Sequence, residues 1–312
     1  MTVIQAILQG IIQGATEFLP VSSSGHLSLA QHFMGVQVTS LLFDVMLHIG
    51  TLIAVLVVYY KLVWRLLKEL VFTVGDVFTG KFKWSQMNAD RRLLMMLIIG
   101  LIPLFLLFIT VPGTGMKIKD YADLWATDHD ILIEGFSLIG TSILLTLGIF
   151  ATKRTKANSG AHSKNMQTVG GRKQFNVIDA VTVGLIQCVA AVFPGLSRSG
   201  STLSGGLMRG VNRQTALDYS FVIGIPSIMA AAALTLKDAA KAHEAISAAP
   251  MVAGVITAAI VGFFAIKLLR WMVASNKLGI FAVYTFLLGI TVVVMGFIEH
   301  TTGTGIAIAI HF

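Results

Sequence analysis

Residues 13–26 read QGATEFLPVSSSGH. Apolar sequence runs on both sides, yet this stretch holds Glu17, Pro20, three consecutive serines (Ser22, Ser23 and Ser24), Gly25 and His26. Proline disfavours helical backbone just before it, so the stretch predicts an apolar helix that breaks at a polar turn and opens into another helix. The rest of the 312-residue chain is 55% hydrophobic and only 12% charged, with mean hydropathy +0.81, whereas soluble domains carry about 25% charged residues. This composition predicts an all-α integral membrane protein, because too few residues alternate in hydrophobicity for a membrane barrel. The single cysteine, Cys188, excludes an internal disulfide. The first ten residues, MTVIQAILQG, lack the basic segment of a secretory signal.

A hydrocarbon core about 30 Å thick asks for roughly 20 apolar residues per helix. Six stretches supply them, near 41–60, 93–112, 131–151, 215–236, 251–270 and 279–298. Two more, near 3–20 and 177–193, run into polar clusters and read as the first arms of re-entrant helical hairpins. Lys and Arg collect in cytoplasmic loops, and 16 of the 23 fall in the segments 61–92, 152–176 and 267–277. That asymmetry predicts both termini on the extracytoplasmic side, and it accounts for the net charge of +8 without nucleic acid.

Three spans separate the two hairpins, so hairpins that each enter and leave on one side enter from opposite faces, the arrangement of an inverted-topology repeat. Shifting residues 10–51 by 174 positions without gaps gives ten identities in 42 positions, among them Gln13/Gln187, Pro20/Pro194, Ser23/Ser197, Asp44/Asp218 and Gly50/Gly224. The expected organisation is one membrane domain over 1–312: repeat one at 1–151, a cytoplasmic loop at 152–176 whose segment KANSGAHSKNMQTVGGRK (156–173) is polar, Gly/Ser-rich and flexible, and repeat two at 177–312.

The second hairpin reads QCVAAVFPGLSRSGST over 187–202. Broken helices expose backbone N–H groups, and a helix N-terminus attracts anions. Ser22, Ser23, Ser24, Ser197, Ser199, Ser201 and Thr202 add hydroxyls, and Arg198 adds a planar cationic fork suited to phosphate. In the gapless register Glu17 stands opposite Ala191, His26 opposite Gly200 and Arg198 opposite Ser24, so the chemistry is divided between the copies. Glu17 would serve as acid or metal ligand, His26 as nucleophile or base, and Arg198 as anion clamp, a set that phosphoryl transfer uses. Plainer roles stand beside these: a helix-capping Glu17, a His26 bonded to a backbone carbonyl, an Arg198 reaching for a headgroup, and serines acting as caps. Asp44 and His48, four apart on one helix face, read as structural or as support for the site. His32, His129, His162, His243, His300 and His311 show no partner pattern.

The pair EFLPVSSSGH and PGLSRSG resembles the undecaprenyl-diphosphate phosphatase family, the bacitracin-resistance proteins, and the resemblance extends over essentially the whole chain. It implies a multi-pass enzyme of the bacterial plasma membrane. That enzyme removes the terminal phosphate of undecaprenyl diphosphate, returning the monophosphate carrier to peptidoglycan synthesis from a site on the extracytoplasmic side. It also implies a divalent cation, Mg²⁺ or Ca²⁺, and functional roles for Gln13, Glu17, Ser23, His26, Ser197 and Arg198. Many family members carry Glu where this chain has Gln13, so Glu17 is expected to be the main metal ligand, with Gln13 offering an amide oxygen. His26 is the first choice as nucleophile, and Ser23 activated by His26 is the alternative. The partners expected are undecaprenyl diphosphate and membrane lipid, and a homodimer is compatible with both. A polyprenyl-phosphate flippase or secondary transporter using the same pocket is the rival reading. Acid-phosphatase-like lipid phosphatases place a second histidine six residues after the arginine, where this chain has Ser204.

Overall fold

The structure is a computed structural model, and it describes residues 1–33, 41–127, 131–160, 171–241 and 247–302. The described residues are helical and contain no extended strand, only the single β-bridges Thr110–Lys117 and Arg172–Val211. The chain runs through α1 (Val3–Phe18), α2 (Ser23–Phe33), α3 (Leu41–Val58), α4 (Tyr60–Phe78), α5 (Ala89–Leu101), α6 (Ile118–Thr127) and α7 (Leu132–Gly160). It continues with α8 (Val177–Val192), α9 (Arg198–Met208), α10 (Arg213–Lys241), α11 (Ala248–Ala274) and α12 (Gly279–Thr302). Short 3₁₀ turns lie at Trp84–Gln86 and Ile102–Phe108.

Five helical stretches are long and apolar enough to cross a bilayer: Ala89–Phe108, Leu132–Arg154, Arg213–Lys237, Ala248–Ala274 and Gly279–Thr302. A further apolar pair, Leu42–Val58 and Tyr60–Phe78, is bent by 88° at its break, and counting it as one span gives six. The five coincide with predicted stretches, α3 lies over the sixth, near 41–60, and the protein is an all-α integral membrane protein. By contrast α1 and α8, at 16 residues each, reach only about 24 Å at 1.5 Å per residue, too short for the hydrocarbon core.

Two boundaries differ from expectation. The basic segment 61–92 contains the 19-residue helix α4, bent 88° from α3. Helix α7 continues to Gly160, past the expected loop start at 152. Residues 161–170 of the Gly/Ser-rich loop lie outside the described residues, as do His129, His162, His243 and His311.

The short helices pack on partners from the far half of the chain. α1 lies along α11, and α8 lies along α5 and the turn after it. Close approach needs small residues in both places. A Cβ at Gly10 would fall 2.7 Å from the Gly254 carbonyl oxygen, and one at Gly184 would run into the Gly100 carbonyl. α9 is enclosed by α7, α8 and α10, and α7 pairs with α12.

Local capping shows how alike the two hairpins are. Thr2 and Gln5 form a reciprocal capping box on α1, and Asn176 and Asp179 form one on α8, 174 residues later. At the second arms the offset becomes 175. Ser22 Oγ accepts from Gly25 N at 3.2 Å and lies 3.3 Å from Ser24 Oγ, while Ser197 Oγ accepts from Gly200 N at 3.1 Å and lies 3.3 Å from Ser199 Oγ. The second turn carries one extra residue after its proline. The gapless register is therefore corrected at this point: Ser23 matches Arg198 and His26 matches Ser201.

Candidate active site

The two broken-helix turns lock onto each other. Ser24 Oγ accepts from Gly195 N at 3.3 Å, and its counterpart Ser199 donates to the Leu19 carbonyl at 3.1 Å. Tight backbone permits the contact: Gly195 has φ +88° and Ser22 φ +74°, both in the left-handed region, which only glycine enters without strain. The first residues of α2 and α9, Ser23 and Arg198, thereby reach the last turn of α1.

Glu17 is the meeting point. Its Oε1 accepts from Arg198 Nη2 at 2.6 Å, and its Oε2 accepts from Ser23 Oγ at 2.6 Å and from Gln13 Nε2 at 3.0 Å. His48 Nε2 lies 3.7 Å from the same Oε2, and its Nδ1 donates to the Asp44 carbonyl at 2.8 Å. Glu17 is 6% exposed. Removing a carboxylate from water is costly unless it is paired and hydrogen-bonded, and here three donors from three helices supply the pairing. Gln13 is wholly buried, and its Oε1 has no hydrogen-bond partner.

Glu17, Ser23, Ser24, Arg198 and His48 border a cavity of about 730 Å³ whose other wall is apolar, with Leu101, Leu104, Phe105, Phe108, Ala230 and Leu234 among its residues. Ser22, Ser197 and Ser199 also line it, but Ser22 and Ser197 are nearly buried and act as the N-terminal caps just described. Ser201 and Thr202 are not among the lining residues. Both are buried, and the Thr202 hydroxyl is engaged by Ser220 Oγ at 2.5 Å and the Arg198 carbonyl at 2.9 Å.

His26 is also not among the lining residues. Its Nδ1 donates to the Ser22 carbonyl at 2.7 Å, leaving Nε2 to accept from the Tyr284 hydroxyl at 2.7 Å. The rings stack with centroids 5.6 Å apart. The structure thus brings together Gln13, Glu17, Ser23 and Arg198 and turns His26 toward α12. Among the plainer roles, the backbone-bonded histidine and the capping serines are the ones observed. His32, read as having no partner pattern, pairs with Glu299 at 2.9 Å.

Two residues at the cavity were given no direct role by sequence reasoning. His48 was read as support on the strength of its spacing from Asp44, and nothing local to it marks the approach to Glu17. Gln187 was noted only as the repeat mate of Gln13. It lines the cavity with its Nε2 bound to Ser227 Oγ at 3.0 Å and its Oε1 unpartnered.

The family model described as Bacitracin resistance protein BacA matches residues 6–291. The chain is 37% identical over 295 residues to the undecaprenyl-diphosphatase of Alkaliphilus metalliredigens, covering 94% of this chain and 98% of that protein. It is 34% identical over 298 residues to the undecaprenyl-diphosphatase of Methanosphaera stadtmanae, with coverage of 95% and 98%, and 36% identical over 290 residues to that of Desulfosudis oleivorans, with coverage of 93% and 97%. A near-complete match that includes both hairpins leaves one assignment: the chain is a member of the bacitracin resistance protein family.

Proposed function

We propose that this protein is a membrane hydrolase that removes the terminal phosphate of undecaprenyl diphosphate, giving undecaprenyl phosphate and inorganic phosphate. The observation that carries the reading is the placement of Ser23, Glu17 and Arg198 together at the polar end of a cavity with a long apolar wall. A diphosphate seated there would have its prenyl chain continue along Leu101–Phe108 and α10.

The geometry favours Ser23 over His26 as nucleophile. Ser23 Oγ attacks the terminal phosphorus in line, its proton passes to Glu17 Oε2, and the bond to the bridging oxygen breaks to release the lipid monophosphate. Glu17 gives that proton up to the departing lipid monophosphate and returns to the carboxylate; a water then attacks the phosphoserine, passing its proton to Glu17, which hands it to Ser23 Oγ as the P–O bond to serine breaks and phosphate leaves. Arg198, shared between Glu17 and the transferring group, stabilises charge that develops on the equatorial oxygens. The backbone N–H groups opening α2 and α9 add to that field.

Among the described residues no group of three His, Cys, Asp or Glu side chains could hold a metal ion, so any cation would be held largely by the substrate. The unpartnered Gln13 Oε1 beside the Glu17 carboxylate is the protein's matching donor set. A bound Mg²⁺ or Ca²⁺ would be held by Glu17 and Gln13 together with substrate oxygens and would offset charge on the diphosphate.

The placement proposed is the plasma membrane, with termini and site on the extracytoplasmic side. The concentration of basic residues in 61–92, 152–176 and 267–277 supports that orientation. The test is phosphate release from undecaprenyl diphosphate by the purified protein in detergent. Release by the wild type and its loss in Ser23→Ala are expected, and an inactive wild type with intact lipid binding would overturn the reading in favour of transport.

A further inference from the structure

Helix α4 plays no part in the chemistry above, yet among the described helices it has the most sharply segregated surface. Tyr60, Trp64, Leu67, Val71, Val74 and Phe78 recur at helical spacing along one side, and all six are exposed, Val71 at 71% and Phe78 at 87%. The opposite side is polar and held in place: Arg91 bonds Glu69 at 3.0 Å and Asp76 at 2.7 Å, and Asn88 donates to Glu69 at 2.6 Å. Leu66 and Thr73, buried, make the third side, against the protein. An apolar stripe of this length on a helix facing water would be an aggregation surface.

Three observations say what covers it. First, α4 follows directly on α3, which packs against the candidate spans α10 and α11, and it turns by 88° from α3, so that α4 lies parallel to the bilayer plane where α3 runs along those spans. Second, cations border the stripe. Lys61 Nζ lies 5.8 Å from the centroid of the Tyr60 ring and Lys68 Nζ lies 5.5 Å from that of Trp64, so apolar stems and charged heads are arranged as at a headgroup boundary. Third, a cavity of about 330 Å³ beside α4 is lined by Arg65, Arg92 and Lys173. Arg65 pairs with Asp90 in it at 3.1 Å, and Arg92 and Lys173 outnumber the remaining acid, Asp218, whose Oδ1 accepts from the Tyr59 hydroxyl at 2.7 Å. The charge bordering α4 is complementary to an anionic leaflet.

We propose that α4 lies flat in the headgroup–acyl boundary of an anionic phospholipid leaflet, its Tyr60–Phe78 stripe in the acyl region and Lys61 and Lys68 at the lipid phosphates. This makes the segment after α3 an in-plane anchor. The inference is independent of which substrate the enzyme takes.

The test uses the full chain reconstituted in vesicles of phosphatidylcholine mixed with phosphatidylglycerol. Nitroxides are placed at Val71→Cys and Lys68→Cys in a Cys188→Ser background. At position 71 collisions with oxygen should exceed those with a water-soluble nickel complex, and at position 68 the order should reverse. Equal nickel access at both positions, or dipolar coupling between labels at position 71 of two copies, would overturn the proposal. A chain retaining Trp64 as its only tryptophan gives a second readout. Brominated phosphatidylglycerol should quench it more than brominated phosphatidylcholine, and Lys61→Gln with Lys68→Gln should remove most of that difference. Quenching that does not distinguish the two lipids in the unsubstituted helix would rule out anionic headgroup recognition.

Discussion

Arg198 Nη2 stands 2.6 Å from Glu17 Oε1, joining the first residue of α9 to the last turn of α1 across 181 positions of sequence. Each partner is expensive to bury alone, and breaking such a pair by removing one side costs about 3–5 kcal/mol where the other stays buried. Glu17→Gln and Arg198→Gln should each lower kcat by about 10²–10³-fold, the range seen when one charge-stabilising donor is removed. The double variant should lose no more than the worse single one, because the two act as a unit. Steady-state phosphate release gives the rates. Thermal unfolding in detergent should show the single variants less stable than the double, and additive losses in rate would contradict a shared role.

The nucleophile is testable by the chemistry of its phosphorylated form. Ser23→Ala should abolish release and leave no labelled protein after acid quench, while the wild type should carry an acid-stable label on the peptide containing Ser23. His26 is held by Ser22 and Tyr284, so Tyr284→Phe should cost less than about tenfold, the scale of one neutral hydrogen bond. An acid-labile label, or a Tyr284→Phe loss as large as that of Ser23→Ala, would return the role to His26.

Much of this arrangement is legible in the sequence, and the residues show where legibility stops. Composition and 20-residue apolar runs report membrane spans directly, because the bilayer imposes both. The two Pro-Ser turns report broken helices, and the unlike residues Glu17 and Arg198 report that the copies share one site. The extra residue between Pro194 and Ser197 is invisible to a gapless comparison, since small residues fill both turns, and it moved Arg198 from opposite Ser24 to opposite Ser23. The pairing of His26 with Tyr284 spans 258 positions, and no local pattern can announce such a contact. Helix α4 was hidden by its charges: counting lysines and arginines marks a loop, whereas the apolar residues at 60, 64, 67, 71, 74 and 78 mark a helix surface.

Gln13 offers one neutral oxygen where a second carboxylate would bind a hard cation more tightly. Chelation by EDTA should suppress phosphate release, and Mg²⁺ or Ca²⁺ should restore it. Gln13→Glu should lower the half-saturating Mg²⁺ concentration several-fold, and in the absence of metal it should lower the unfolding temperature, because two carboxylates would then crowd one buried site. Gln13→Leu should raise the metal requirement. Metal titrations unchanged in both variants would remove Gln13 from the metal site.

Gly224 on α10 gives the most selective probe of Arg198. A Cβ built there falls onto the Arg198 guanidinium. Gly224 sits inside a helix, where alanine is favoured over glycine by about 1 kcal/mol, so the backbone accepts the change and the long arginine side chain is what must move. Gly224→Ala should therefore destabilise the fold no more than Arg198→Gln does, since only the ion pair and not the helix backbone is disturbed, while displacing the guanidinium from Glu17. A loss of kcat approaching that of Arg198→Gln is expected, with the phosphoserine still traceable to Ser23. Gly195→Ala supplies the contrast: its φ of +88° and a Cβ placed 2.8 Å from the Glu134 Cα should destabilise the whole fold. If Gly224→Ala keeps full activity, Arg198 has a second productive position, and the 2.6 Å contact with Glu17 is dispensable for catalysis.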